Sequence, residues 1–318
     1  MGHYFVRRIM LLVPSLLGMT LVVFLLGALA PGDPAVEVYL QRYGEFPTDA
    51  AVLTALRAEL GLDQPLPLRY LRWLLHLCRG DLGTSWRHAQ PVAALLGRAA
   101  GYTLMLTGMG ALLAVSLGVV LGLISAFWQG SVIDRFLAGL VVVTSGIPAF
   151  LIAYALMYLF AVRWRLLPAL GTGDLRHLLL PALTLGLASF QSLARLVRAA
   201  TADALQSPWL WTARAKGLRE RVVVLRHGVR TCVPLLLTSA ANTVTMTVGR
   251  AVLVEVVFGW PGLGRLIADS VVFRDLPAIQ GFALLFGAMI IMLYLGVDLL
   301  AAWFDPRVRQ ALNEGRPV

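Results

Sequence analysis

The sequence predicts an all-α membrane protein in which six transmembrane helices are joined to an external helical excursion between the first and second spans. Three observations carry that expectation. Hydrophobic residues fill 58% of 318 positions and charged ones only 14%, with a mean hydropathy of +0.77; a soluble domain has about 45–50% apolar and 25% charged residues. Six stretches (9–30, 103–127, 136–162, 178–197, 234–257 and 282–303) are long and oily enough to cross the ~30 Å bilayer core at about 1.5 Å per residue. With the N-terminus inside, 14 Lys and Arg fall in cytoplasmic segments and five in the two short external loops, as the positive-inside rule requires. The net charge of +10 therefore reflects topology, and no nucleic-acid motif accompanies it.

The first span begins after Arg7-Arg8 and ends near Ala28-Leu29-Ala30. Its apolar run of about 22 residues exceeds the 7–15 of a signal-peptide core, so a retained anchor is expected. Pro31-Gly32-Asp33-Pro34 stops that helix and starts a turn. The 31–99 segment balances seven arginines with seven acids and reads as a small folded excursion. Within it Thr48 to Leu60 has helical spacing, Leu66 to Leu77 is apolar enough to lie at the interface, and Gly80-Asp81-Leu82-Gly83 is a turn.

Small residues crowd the second span (Gly108, Gly110, Ala114, Ser116, Gly118, Gly122) and the third (Gly139, Thr144, Ser145, Gly146), and are expected to form packing faces. Pro148 should kink the third span and free a carbonyl. The fourth span is the weakest, interrupted by Pro181, Gln191 and Arg195. Span five carries Asn242, Thr243, Thr245, Thr247, Arg250 and Glu255, too polar for lipid, so it should line a cavity or a partner interface. Pro261-Gly262 has the order of a type II turn. The sixth span ends with Asp298, expected to be a structural pair or cap, and exits through Asp305-Pro306-Arg307.

The loop between spans four and five, about 199–233, is polar and basic. Ser207 suits an N-cap, Pro208 the first helical position and Gly217 the left-handed residue past a helix end, which outlines a helix from Pro208 to Lys216. Arg219, Arg226 and Arg230 fall within about 40° of one another on a following helix.

Thr212-Ala213-Arg214-Ala215-Lys216-Gly217-Leu218, followed by Arg226-His227 and Pro234, resembles the EAA loop of bacterial ABC importer permeases in its peptide/nickel form. Trp211-Thr212-Ala213 replaces the general Glu-Ala-Ala, and Pro234 lies farther from Gly217 than the general pattern has it, as in that group. Glu255, Trp260-Pro261-Gly262-Leu263-Gly264, Gln280-Gly281 and Asp305-Pro306-Arg307 extend the resemblance along the chain. It implies the type I ABC importer permease fold, in four parts: the N-terminus and first helix (1–30), the excursion (31–99), the permease core (100–304) and a cytoplasmic tail (305–318).

The resemblance also implies the complex. A paralogous second permease, two cytoplasmic ATPases and an external solute-binding protein are the expected partners, in a bacterial cytoplasmic membrane with both termini inside. The excursion would help receive the binding protein, and Ser207, Pro208 and the run Trp211, Thr212, Ala213, Arg214, Ala215, Lys216, Gly217, Leu218 and Arg219 would form the ATPase-coupling site. The implied cargo is a peptide or a nickel chelate, and Leu167-Pro168-Ala169-Leu170-Gly171 with His177-Leu178-Leu179-Leu180-Pro181 leans to the nickel type. A glycine is the family's residue where Arg250 stands. Arg250, with Asn242 and Thr245, is a candidate for the substrate pathway; the alternative is a structural pair with Glu255, Asp298 or the partner subunit.

No enzymatic chemistry is expected. A Walker A loop needs Gly-Lys-Ser/Thr, but the single lysine, Lys216, lies between Ala215 and Gly217; ATP and Mg are expected in partner ATPases, with no cofactor in this chain. His3, His76, His88, His177 and His227 are isolated, and Cys78 and Cys232 fall on opposite sides of the membrane, so neither a metal site nor a disulfide is expected. A stand-alone secondary transporter or channel remains the alternative class, with Asp298 as its poor sole coupling carboxylate.

Overall fold

A computed structural model describes residues 2–29, 32–47, 49–219, 222–223, 228 and 230–304. Among these the chain is helical, with one isolated β-bridge between Thr84 and Pro91. The apolar runs become α1 (Gly2–Leu29), α5 (Val92–Phe127), α11 (Arg230–Phe258) and α13 (Leu276–Phe304), each long enough to span a bilayer. Two further spans are broken into pairs: α6 (Val132–Gly146) with α7 (Ala149–Leu156), and α8 (Leu175–Ser189) with α9 (Gln191–Leu205). Counting each bent pair as one crossing, the described helices supply up to six spans. Asp305-Pro306-Arg307, the rest of the tail and the side chain of Asp298 lie outside the described residues.

The breaks follow backbone chemistry. At Ile147–Pro148 the chain turns by 106°, far more than a kink. Pro148 lacks the N–H that would bond four residues back, and the carbonyl it leaves free, that of Thr144, accepts instead from Nε2 of Gln191 at 3.3 Å. The expected interruption at Pro181 does not occur: α8 runs through it, and the fourth span bends by 47° between Ser189 and Gln191 instead. Beyond α7 the chain continues as a π-helical stretch, Met157–Arg163.

The core is organised around α5, which packs along α8 and α9. Gly110, Ala114, Gly118 and Gly122 stand four residues apart and are buried on that face. A Cβ on Gly110 would lie 2.7 Å from Leu185 Cβ, and one on Gly122 only 2.6 Å from Val197 Cβ and 2.7 Å from the Ala194 carbonyl oxygen. Only hydrogen fits, which is how small residues let helices approach. The remaining small residues do not share that role: Gly108, Gly139 and Gly146 face open space in the single chain.

The excursion is three helices, α2 (Pro34–Tyr43), α3 (Ala50–Glu59) and α4 (Leu66–Cys78). Asp33 and Asp49 cap α2 and α3 through Ala35 N and Ala51 N at 3.0 and 2.8 Å. Ala35, Val38 and Leu56 form their small core, over which Trp86 and Leu62 close. Tyr70 and Trp73 of α4 pack on Phe24 of α1, and Tyr70 OH meets Thr20 Oγ1 at 2.9 Å. The excursion is tied to the core at Asp275, fully buried, whose carboxylate accepts from Ser85 Oγ and from Trp86 N at 3.1 Å.

Because Gly122 leaves no room for a methyl group, Gly122→Ala is expected to destabilise the solubilised protein by about 1–3 kcal/mol. Gly108→Ala, whose Cβ meets open space inside a helix, should stabilise it by about 0.4–1 kcal/mol. Thermal unfolding in detergent checks both, and equal midpoints for the two variants would contradict the packing described.

Candidate functional site: the α10 loop and its supports

At the end of α9 the chain turns into α10 (Pro208–Ala215), one residue shorter than expected. Pro208 stands at its first position and Gly217, just past its end, has φ +76°. Ser207 precedes the helix as expected, but its hydroxyl does not cap it: it donates to the Ala204 carbonyl, stitching α10 to the last turn of α9. Leu210, fully buried, and Ala213 face inward against Leu205 and Val223. Burying a leucine is worth about 1.5–3 kcal/mol, so Leu210 is one of the anchors that hold α10 down.

The other faces of α10 point away from the bundle. Trp209 and Trp211 are 54% and 67% exposed and Leu218 is 41% exposed; Pro208, Thr212, Ala215, Lys216, Gly217 and Arg219 are exposed as well. The side chain of Arg214, and Arg226, His227 and the side chain of Arg230 on the basic stripe, lie outside the described residues. Two tryptophans on a short projecting helix form an apolar surface of the kind a partner protein covers.

The supports of this loop were not singled out from sequence. Arg198 of α9 grips Asp134, at the start of α6, through two parallel bonds of 2.7 and 2.8 Å. Asp134 is 4% exposed and also accepts from Gly130 N at 2.9 Å and from Ser125 Oγ. Nearby, Gln206 Nε2 donates to Gln129 Oε1 at 3.2 Å. The Ser131-to-Asp134 spacing is close to a capping box, and Ser131 Oγ does accept from Asp134 N at 3.2 Å; that was the available signal. In the sequence Arg198 counted only as one more positive charge.

Near the end of α11, Glu255 is fully buried and structural. Its Oε1 accepts from Thr103 Oγ1 and its Oε2 from Gly264 N, both at 2.6 Å, so it caps α12 (Leu263–Val272) from a distance. Thr103 Oγ1 in turn accepts from Leu263 N at 2.8 Å. The type II turn expected at Pro261-Gly262 is not there. Gly262 has φ −88°, and its N–H bonds back to the Trp260 carbonyl at 2.8 Å, a three-residue turn about Pro261. Glycine is required for space instead, since a Cβ at 262 would lie 2.3 Å from the Glu255 carboxyl.

The three pathway candidates on α11 separate. Thr245 is 3% exposed and its hydroxyl bonds back to the Ala241 carbonyl at 3.3 Å, so it belongs to the core. Asn242 and Arg250 share an exposed stripe with Met246, Leu253 and Val256. Arg250 does not pair with Glu255: its Nη1 donates to Ser189 Oγ at 3.0 Å and to the Ala188 carbonyl, at the break between α8 and α9. No group of three or more metal-ligating side chains occurs among the described residues.

Known proteins fix what this architecture is. A family model described as "Binding-protein-dependent transport system inner membrane component" matches residues 118–310, and one described as "Binding-prot-dependent transport system membrane comp, N-term" matches 1–107. The chain belongs to this transport family. As an ABC importer permease it is 40% identical to the "Glutathione transport system permease protein GsiC" of Pectobacterium atrosepticum, over 97% of this chain and 99% of that one. It is 38% identical to the protein of the same name from Salmonella typhimurium, with the same coverage. The fold of the permease is also that of the inward-facing MetNI methionine ABC transporter: TM-score 0.57 at 17% identity, covering 66% of this chain and 96% of the other.

Glu255→Ala would strand the Gly264 N–H and the Thr103 hydroxyl inside the permease, at about 1–3 kcal/mol for each unsatisfied group. Its midpoint of thermal unfolding should therefore fall well below that of Asn242→Ala, whose side chain is exposed; matching midpoints would show that the cap carries no weight.

Proposed function

We propose that this permease subunit imports a short peptide of the glutathione kind, driven by ATP that is bound, with Mg, and hydrolysed by partner subunits. The family membership supports the importer, and the names of the relatives support the cargo. Those names give no support to the nickel alternative, and a stand-alone secondary transporter or channel does not fit a binding-protein-dependent family. The subunit itself is not an enzyme and holds no cofactor: its only lysine is outside any phosphate-binding loop.

The observation that carries the mechanism is the way α10 is mounted. It is about 12 Å long, presents Trp209 and Trp211 outward, and hangs from α9, which Arg198 locks to the turn between α5 and α6. In the assembled importer α10 lies in the cytosol in a groove of one of two ATPases, so both termini are cytoplasmic and the excursion faces the solute-binding protein. A second, paralogous permease completes the translocation pathway. When the ATP-loaded ATPases close, α10 is displaced, and because α9 is clamped to α5 and α6, the displacement turns the bundle and opens the pathway outward. Hydrolysis and release reverse it.

Gly217 is the test position. Its φ of +76° is closed to proline, whose ring holds φ near −65°, and its surroundings are open, so Gly217→Pro redirects the chain beyond α10 without touching the bundle. In reconstituted importer, Gly217→Pro should lower glutathione uptake by about tenfold or more while the ATPases keep hydrolysing, since each 1.4 kcal/mol of lost coupling is tenfold. Uptake at the native rate would overturn the coupling role of this loop.

A further inference from the structure

We infer that Arg250 is a specificity residue of the translocation pathway that receives a carboxylate of the cargo; this rests on the peptide-import reading above. Arg250 lies eight residues before the end of α11 at Phe258, about 12 Å along the helix at 1.5 Å per residue. That position falls within the apolar span Cys232–Phe258. A guanidinium within a span must face a cavity or a partner.

The structure shows how this charge is held. One side of α11, with Thr243, Thr247, Ala251, Val254 and Phe258, is buried against the core. Arg250 stands on the other side, in the exposed stripe with Asn242, Met246 and Leu253. Its Nη1 is taken by the Ala188 carbonyl and by Ser189 Oγ, both neutral acceptors at the α8–α9 break. Among the described residues no carboxylate pairs with it, and Glu255 is engaged with Thr103 and Gly264.

The charge is therefore positioned but not neutralised. Arginine has five N–H donors in a fixed fork. With Nη1 anchored, the edge formed by Nε and Nη2 remains, and that edge matches a carboxylate through two parallel bonds. An anchored guanidinium loses little freedom on binding, which favours selective recognition. The matching ligand is a short peptide that carries a carboxylate beyond the one balanced by its amino group, as glutathione does.

The test uses the complete importer in proteoliposomes and follows ATP-dependent uptake of glutathione and of the two analogues in which one or the other carboxylate is replaced by an amide. The native complex should discriminate by about tenfold or more against one of the two amides. Arg250→Gln should erase that discrimination, and Arg250→Lys should keep part of it, as a charge without the fork. A purely structural role at the α8–α9 break would lower all three uptakes together and leave their ranking intact. An unchanged ranking in Arg250→Gln overturns the assignment while leaving peptide import standing. A native complex that imports no glutathione overturns both.

Discussion

The joint between Arg198 and Asp134 is the interaction on which the mechanical reading of this permease depends. Both oxygens of a nearly buried carboxylate are gripped by one guanidinium, and Ser125 and Gly130 complete the shell. Removing Arg198 would strand a nearly buried carboxylate, so α9 and the α5–α6 turn are tied into one body. The glycine face of α5 extends that body, since Gly110, Gly118 and Gly122 bring α8 and α9 to within side-chain contact along several turns. Against this rigid block, α10 packs through Leu210 and Ala213 and is stitched to α9 by the Ser207 hydroxyl. A lever needs that contrast between a stiff arm and an exposed tip.

Much of the architecture was legible in the sequence because the bilayer is a harsh solvent. Every unpaired backbone group in hydrocarbon is costly, so oily stretches of about 20 residues have one outcome, and α1, α5, α11 and α13 follow it. Local chemistry also spoke clearly where it was self-contained: Pro208 opens α10 and Gly217 takes the left-handed turn after it, whereas the caps that Asp33 and Asp49 give α2 and α3 went unread. What the sequence concealed were features that depend on distant neighbours. Ser207 found the Ala204 carbonyl instead of its own helix, and Gly262 is needed for the closeness of Glu255, not for a turn type. Pro148 and Pro181 look alike in one dimension, yet only the former breaks a span, and there Gln191 takes the carbonyl it releases.

The polar residues of α11 show the same division at the functional site. Read along the sequence, Asn242, Thr245, Arg250 and Glu255 form a single polar run; in three dimensions they serve different ends. Thr245 satisfies itself on the preceding turn, Glu255 caps α12, and Asn242 and Arg250 stay on the exposed stripe. Helical periodicity separates the buried from the exposed positions, but only the folded chain shows that Arg250 braces the α8–α9 break. The helix α10 was legible for a different reason: Pro208 at its first position and Gly217 past its end bound a polar segment between oily spans.

The central claim is that α10 is the contact between this bundle and a nucleotide-driven motor. Site-directed cross-linking tests it most directly: a cysteine at Trp211, exposed at the tip, is treated in intact membranes with a short bifunctional thiol reagent. The account predicts a covalent adduct with an ATPase subunit whose yield changes when ATP is added. An adduct confined to the solute-binding protein, or labelling of Trp211→Cys from the outer side of the membrane, would contradict it.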